Sequence, residues 1–326
     1  MWEVGLRLFW HNPYVDELPD KILKVPTHHP NSDHIINRGA YYPDDPWIRV
    51  RTGPRSYILP SFQYEKPDAT IAFMGASTTA ALAVHEEARF PILVSKLLAK
   101  EGLRVNVLNT ARGSGTLHDS INIVLNHLVT DRPDIVVAMH SGTDQALLAG
   151  SGNYEIRMGQ TVSVTDMARW TVQMLSSESY IAGFARRNMS RGSRRAKRGW
   201  ASGAREGAPK VPVEAAPKVP VEEFEARLEV FVTMVRAFGM TPVLVTEPLA
   251  GLDENHDRFN EAIREVGARE GAMVIDLANH IERETPGWDT PMHVFYDGVH
   301  VSENGSRMYA EYIFERILPL VREVAD

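Results

Sequence analysis

Four short segments carry side chains that can do chemistry, and each sits beside glycine or other small residues. Gly75-Ala76-Ser77-Thr78-Thr79 exposes a serine hydroxyl on a stretch of small residues, where backbone can approach a ligand and an amide can face a developing oxyanion. It is not the G-x-S-x-G elbow, because Thr79 holds the last glycine position, and no Gly-Lys-Ser/Thr follows to make a phosphate loop. In Asn109-Thr110-Ala111-Arg112-Gly113-Ser114-Gly115-Thr116, Gly113 and Gly115 offer amides to an anion at the next helix N-terminus. His140-Ser141-Gly142-Thr143-Asp144-Gln145 gathers polar side chains that need partners or a task. Asp297-Gly298-Val299-His300 sets a carboxylate three residues before an imidazole. There the carboxylate can hold one ring nitrogen and leave the other free as a base. Each segment also has a plainer reading: a helix-capping turn, an ordinary glycine loop, a structural Asp144, a capping Asp297 with a surface His300.

Other residues are weaker candidates. His28, His29, Asp33 and His34 are metal-ligand types, yet PTHHPNSDH reads as an exposed loop. His118 and His140 lie near the candidate segments and read as hydrogen-bonded structural histidines. Arg112 is placed either to neutralise an anionic substrate or to pair with a surface carboxylate.

These segments are positioned by a repeating pattern that begins at residue 70. Short apolar runs at Thr70–Met74, Val105–Asn109, Ile135–Met139, Pro242–Thr246 and Ala272–Leu277 read as strands. Amphipathic helices separate them: Leu117, Ile121, Val124, Leu125 and Leu128 share one helical face, as do Phe224, Leu228, Phe231, Val232, Val235 and Phe238. Pro91 suits the first turn of a helix through Lys100. A last helix is expected from Glu303 towards Val324, disturbed at Pro319. Strands alternating with helices predict an α/β domain with a mostly parallel sheet. In such sheets the C-terminal strand ends carry the active site, where the four segments fall or lie nearby.

Before this pattern lies an N-terminal accessory segment, residues 1–66, with two short strands expected around Gly53-Pro54. Its start, MWEVGLRLFW, reads as a strap packing Trp2, Leu6, Phe9 and Trp10 on the domain, not as a signal peptide. The domain itself is expected over 67–184 and 221–326, interrupted by a flexible insertion at 185–220. Within it, residues 186–210 hold nine basic residues against Glu206, a local +8 in a chain of net −7. An imperfect tandem, APKVPVEA then APKVPVEE, follows from Ala208 and Ala216. This composition reads as a solvated linker or as a patch for polyanions such as an anionic membrane surface.

Composition excludes several function classes. The 326 residues are 44% hydrophobic and 24% charged, which fits a folded globular chain and not a disordered one. Net acidity argues against general nucleic-acid binding. The absence of cysteine removes disulfide scaffolds, thiolate metal sites and thiol nucleophiles. No apolar run reaches the ~20 residues of a membrane span, so the cytoplasm, with peripheral membrane association as a variant, is the expected location.

Ser77 after the first strand, a glycine loop after the second, a polar loop after the third and D-x-x-H before the last helix occur in a fixed order. In that order the chain resembles the SGNH (GDSL-like) hydrolase superfamily, over roughly 68–184 and 221–326. D-G-V-H followed by Ser302 and Gly305 is the most specific match. The resemblance implies a three-layer α/β/α sandwich of flavodoxin-like type and a serine esterase acting on an acyl ester of a small molecule, glycan or lipid. It makes Ser77 the nucleophile, His300 the base and Asp297 its orienting carboxylate. The oxyanion donors it implies are Ser77, Gly113 (with Gly115 as the alternative) and a residue of the third segment. No metal or organic cofactor is implied. The third segment departs from the family's G-x-N-D/E pattern: one register puts Thr143 at the asparagine position, the other puts Asp144 there. A hydroxyl donates to an oxyanion, whereas an ionised carboxylate repels it. That departure keeps open a weakened, scaffold-like binding protein, and an O-acyltransferase remains a close variant of the hydrolase.

Overall fold

Trp47–Arg51 alternates polar and apolar side chains, and the computed structural model places it as a half-buried strand. The structure describes residues 27–154, 219–250, 254–285 and 291–325. Strand β1 (Asp33–Asn37) pairs antiparallel with β2 (Trp47–Arg51), turning Ile48 and Val50 inward. The partner for β2 is therefore not the segment beyond Gly53-Pro54, where there is a single bridge, Thr52 to Ile58. The reason is that Ile58 also donates its amide to the Asn109 carbonyl, which draws the chain away to the main sheet. Asp33 and His34 open β1, so this end of PTHHPNSDH is strand and not loop.

The apolar runs form β3 (Ala69–Gly75), β4 (Val105–Asn109), β5 (Ile135–Met139), β6 (Thr241–Val245) and β7 (Met273–Ile275). They make one parallel sheet in the order β4-β3-β5-β6-β7. Every residue of β4 and β5 is buried, as expected where helices cover both faces. Alternate side chains of β3 feed two cores. Ile71 and Phe73 join one, with the helices α2 (Phe90–Lys100), α7 (Leu277–Glu284) and α9 (Glu303–Ala325). Ala72 and Met74 join the other, with α3 (Leu117–Ile123), α5 (Glu222–Ala237) and α6 (Glu254–Glu270). The result is the three-layer α/β/α sandwich. In the first core the Phe73, Phe90 and Tyr309 rings pack edge-on or tilted at 5.8 and 5.7 Å. Fully burying such a ring contributes about 1.5–3 kcal/mol.

Shorter helices are α1 (Ser77–Ala80), α4 (Gly142–Ser151) and α8 (Pro291–Val294). Helix α3 runs on through a π-helical stretch, Val124–Leu128, and a last turn, Val129–Asp131. Helix α9 continues through Pro319 without a break. Pro319 lies on the exposed side, where water can serve the carbonyl its missing N–H leaves unpaired. No described helix is long and apolar enough to cross a membrane. The strap residues Trp2, Leu6, Phe9 and Trp10, and all of the expected insertion 185–220 but its last two residues, lie outside the described residues.

The chain leaves β3 for β4 on one side, whereas it leaves β5, the neighbour on the other side, for β6. Such a reversal opens a crevice at the C-terminal strand ends, and Ser77 follows β3 there.

Candidate active site

The serine turn is built by steric necessity. A Cβ on Gly75 would lie 2.0 Å from Thr79 Oγ1 and 2.6 Å from the Met139 carbonyl, so only glycine lets β3 end against β5. Helix α1 then starts at Ser77 itself. The Ser77 amide belongs to a first helical turn, whose N–H groups have no intrahelical acceptor. Its half-buried side chain meets the last loop of the fold.

That loop is equally determined. Phe295 and Val301 bridge, the Tyr296 amide donates to the His300 carbonyl at 3.0 Å, and Gly298 takes φ +87°. Asp297 Oδ1 accepts from the amides of Val299 (3.0 Å) and His300 (2.7 Å), folding the turn around its own carboxylate. Ser302 then caps α9: its Oγ accepts from Gly305 N at 3.0 Å and donates to the His293 carbonyl at 2.9 Å. Gly305 must be glycine, since a Cβ would sit 2.1 Å from the Val294 carbonyl. The D-G-V-H-x-S-x-x-G pattern thus has a local physical basis at each fixed position.

The two loops meet in one hydrogen-bonded row. His300 Nε2 lies 2.8 Å from Ser77 Oγ, and His300 Nδ1 lies 2.7 Å from Asp297 Oδ2. The His300 and Asp297 side chains are 32% and 21% exposed, so the row opens to solvent. Burial alone would raise the Asp297 carboxyl. The amides of His300 and Val299 and the His300 ring outweigh it and hold the carboxyl below the usual carboxylate range. Tyr296 stacks on His300 with ring centroids 5.6 Å apart and planes 12° apart. Tyr41 and Tyr42 of the accessory segment pack on Tyr296 at 4.9 and 5.9 Å. Arg38 lies over the Tyr42 ring and reaches Glu303, the first residue of α9, at 3.2 Å. The histidine loop is therefore buttressed by residues outside the βα domain.

The glycine loop separates its two glycines. Gly115 is buried under the Arg112 and Gly75 carbonyls and donates its amide to Arg112 O at 2.9 Å. Gly113 is exposed, with open space where a Cβ would be. In the third segment, Thr143 is half-buried on the first turn of α4. Asp144 is fully buried, its Oδ1 accepting from Leu117 N at 2.9 Å and from Tyr154 OH at 2.5 Å. Asp144 thereby ties α4 to the start of α3.

The remaining candidates are placed as follows. His28 Nε2 bonds the Ala111 carbonyl at 2.9 Å, and burial lowers its pKa. Among the described residues no three His, Asp or Glu side chains come together to hold a metal. His118 packs by Tyr154, and His140 is buried with Nε2 2.8 Å from Ser120 Oγ. Arg112 is half-buried at the base of the glycine loop. Sequence reading missed Glu247, two residues past β6, which is buried and bonds both Thr78 and Ser141. Its signal was available, since the rule that singled out polar residues after three other strands applies equally after the fourth.

No family model matches this chain, and no curated protein does. Among solved structures it is similar to the lipase/acylhydrolase from Enterococcus faecalis, at 17% identity over 77% of this chain and 96% of that one, with a TM-score of 0.49. It is also similar to Axe2, an acetylxylan esterase from Geobacillus stearothermophilus, at 13% identity over 76% and 94%, TM-score 0.49. A third is LAE5, an alpha/beta hydrolase from the Lake Arreo metagenome, at 14% identity over 76% and 94%, TM-score 0.48.

Proposed function

We propose that the protein is a serine-dependent ester hydrolase acting on an acyl ester of a small molecule, glycan or lipid. The observation that carries this reading is the row Ser77–His300–Asp297, at 2.8 and 2.7 Å, open to solvent at the switch point of a parallel sheet. His300 Nε2 takes the Ser77 proton as Oγ attacks the ester carbonyl. Asp297 holds Nδ1, fixing the tautomer and stabilising the imidazolium that forms. The tetrahedral oxyanion is held by the amides of Ser77 and Gly113, with the Thr143 hydroxyl as third donor. Protonation by His300 releases the alcohol, and water activated by the same residue then clears the acyl-enzyme.

Two observations support this assignment of donors. The Gly115 amide is already given to Arg112 O, which leaves Gly113 as the glycine with an amide to offer. Asp144 is buried and its Oδ1 accepts from Leu117 and Tyr154, which supports the register with Thr143 at the donor position.

The test is a serine-reactive fluorophosphonate with short-chain aryl esters as substrates. Wild type should turn over the esters and carry the phosphorus adduct on the peptide containing Ser77, and Ser77→Ala should lose both. A folded wild type that neither labels nor turns over ester would overturn the reading and leave a binding protein.

A further inference from the structure

Glu247 holds together the two turns that frame the proposed oxyanion site. It follows β6 by two residues, and β6 is separated from β3 by β5. At about 4.8 Å per strand, the ends of β3 and β6 lie roughly 10 Å apart. The Glu247 carboxylate spans that gap. Oε1 accepts the Thr78 hydroxyl, next to Ser77. Oε2 accepts the Ser141 hydroxyl at 3.0 Å and the Gly142 amide at 2.7 Å, where α4 begins.

The Glu247 backbone is held from behind. The Asn260 amide on α6 accepts from Glu247 N at 2.9 Å and donates to Glu247 O at 3.0 Å. His256 Nε2 lies 2.6 Å from the same carbonyl. Glu247, His256 and Asn260 are all buried. Both oxygens of the buried carboxylate are satisfied by the hydroxyls of Thr78 and Ser141 and the Gly142 amide. A fold needs no carboxylate here for packing, since apolar side chains of similar volume fill such positions without the cost of burying a charge. What a carboxylate provides is two fixed acceptors for donors from two separate loops.

We propose that Glu247 is a positioning residue. It fixes the Ser77 turn against the Gly142-Thr143 turn, setting the separation of the nucleophile and the third oxyanion donor. This inference rests on the ester-hydrolase reading. Its consequence is that loosening Glu247 affects the transition state and not ground-state binding, because displacement of such a frame by a fraction of an ångström falls on kcat.

The experiment compares wild type, Glu247→Gln, Thr78→Val and the double variant for kcat and KM on an aryl ester, phosphonate labelling rate and Tm. Glu247→Gln keeps the shape but replaces one acceptor by a donor. It should lower kcat and labelling about 10- to 100-fold while KM stays within about twofold. Thr78→Val removes one arm alone and should give a smaller loss of the same kind, which serves if the glutamine variant does not fold. Adding Thr78→Val to Glu247→Gln should cost little more, because both break one link. A glutamine variant with wild-type kcat, or losses that multiply in the double variant, would overturn the positioning role while the ester reading stands. Loss of labelling and turnover in wild type itself would overturn the ester reading, and this inference with it.

Discussion

Among the described residues Ser, His and Asp come together in two places, which differ in surroundings more than in composition. In one, Ser77, His300 and Asp297 sit on loops at the C-terminal strand ends, with both contacts of hydrogen-bond length and the side chains partly open to water. In the other, Ser120 Oγ lies 2.8 Å from His140 Nε2, but His140 Nδ1 and Asp144 Oδ2 are 3.5 Å apart and neither is hydrogen-bonded to the other. His140 and Asp144 are sealed in the core, and Asp144 serves Leu117 and Tyr154 instead. Three residue types in sequence do not make a nucleophile. The open row has a histidine held by a carboxylate that is itself held by amides, and a serine at the first turn of a helix. The buried row lacks the short Asp–His contact and access for a substrate.

The largest contrast is expected at the serines. Ser77→Ala should cut ester turnover about 10⁴- to 10⁶-fold. Ser120→Ala should leave phosphonate labelling of Ser77 intact, and calorimetry should find only the loss of a buried partner for His140, about 1–3 kcal/mol. Labelling of Ser120 in wild type would erase the distinction. At the carboxylates, Asp297→Asn should lower kcat about 10⁴-fold with little change in Tm, because the wrong tautomer is then favoured. Asp144→Ala strands the Leu117 amide and the Tyr154 hydroxyl, and urea denaturation should register a loss of about 2–4 kcal/mol. If Asp144→Ala instead kept full stability while abolishing turnover, the two rows would have exchanged roles.

The acid side of the pH profile offers a finer comparison. Asp297 is held below the ordinary carboxylate value, so its contribution is complete above that value and lost as pH falls through the depressed one. Loss of Asp297 should therefore add nothing to the acid limb of log kcat/KM until pH falls below the ordinary carboxylate value of about 4. Steepening well above pH 4 would mean that the amide contacts do not protect the carboxylate. The smallest effect is expected in the glycine loop. Gly113→Ala meets open space and should leave Tm unchanged, whereas Gly115→Ala, with a Cβ 2.9 Å from Arg112 O, should lower it measurably by differential scanning fluorimetry.

Much of the fold was legible because burial leaves a period in the sequence. The runs at Thr70–Met74, Val105–Asn109 and Ile135–Met139 are the observed strands to within a residue or two. Helix α5, with Phe224, Leu228, Phe231, Val232 and Val235 buried, follows its apolar face. Legibility failed where pairing is long-range. The partner of β2 is β1, from a polar stretch whose residues are mostly exposed and give no alternating signal. Pro319 misled because its cost in a helix depends on which side faces water. Of the candidate site, Ser77, Asp297 and His300 were readable from motif and order, and Asp297 with His300 from spacing. Glu247 was not singled out although it closely follows a strand, and Tyr296 and Arg38 were not because their tasks depend on which loops become neighbours.

By itself the sequence marked the five strands of the parallel sheet, the long amphipathic helices and the Asp297–His300 turn. All of these rest on local geometry or on side-chain periodicity. Only the tertiary structure shows that the Gly115 amide is given to the Arg112 carbonyl while Gly113 stands exposed. It also decided that Asp144 is buried support and that Glu247 links the ends of β3, β5 and β6. The physical reason is the same in each case. A hydrogen-bonding group is defined by its partner, and here the partners lie anywhere from 3 residues away, as Arg112 does from Gly115, to 169, as Glu247 does from Thr78.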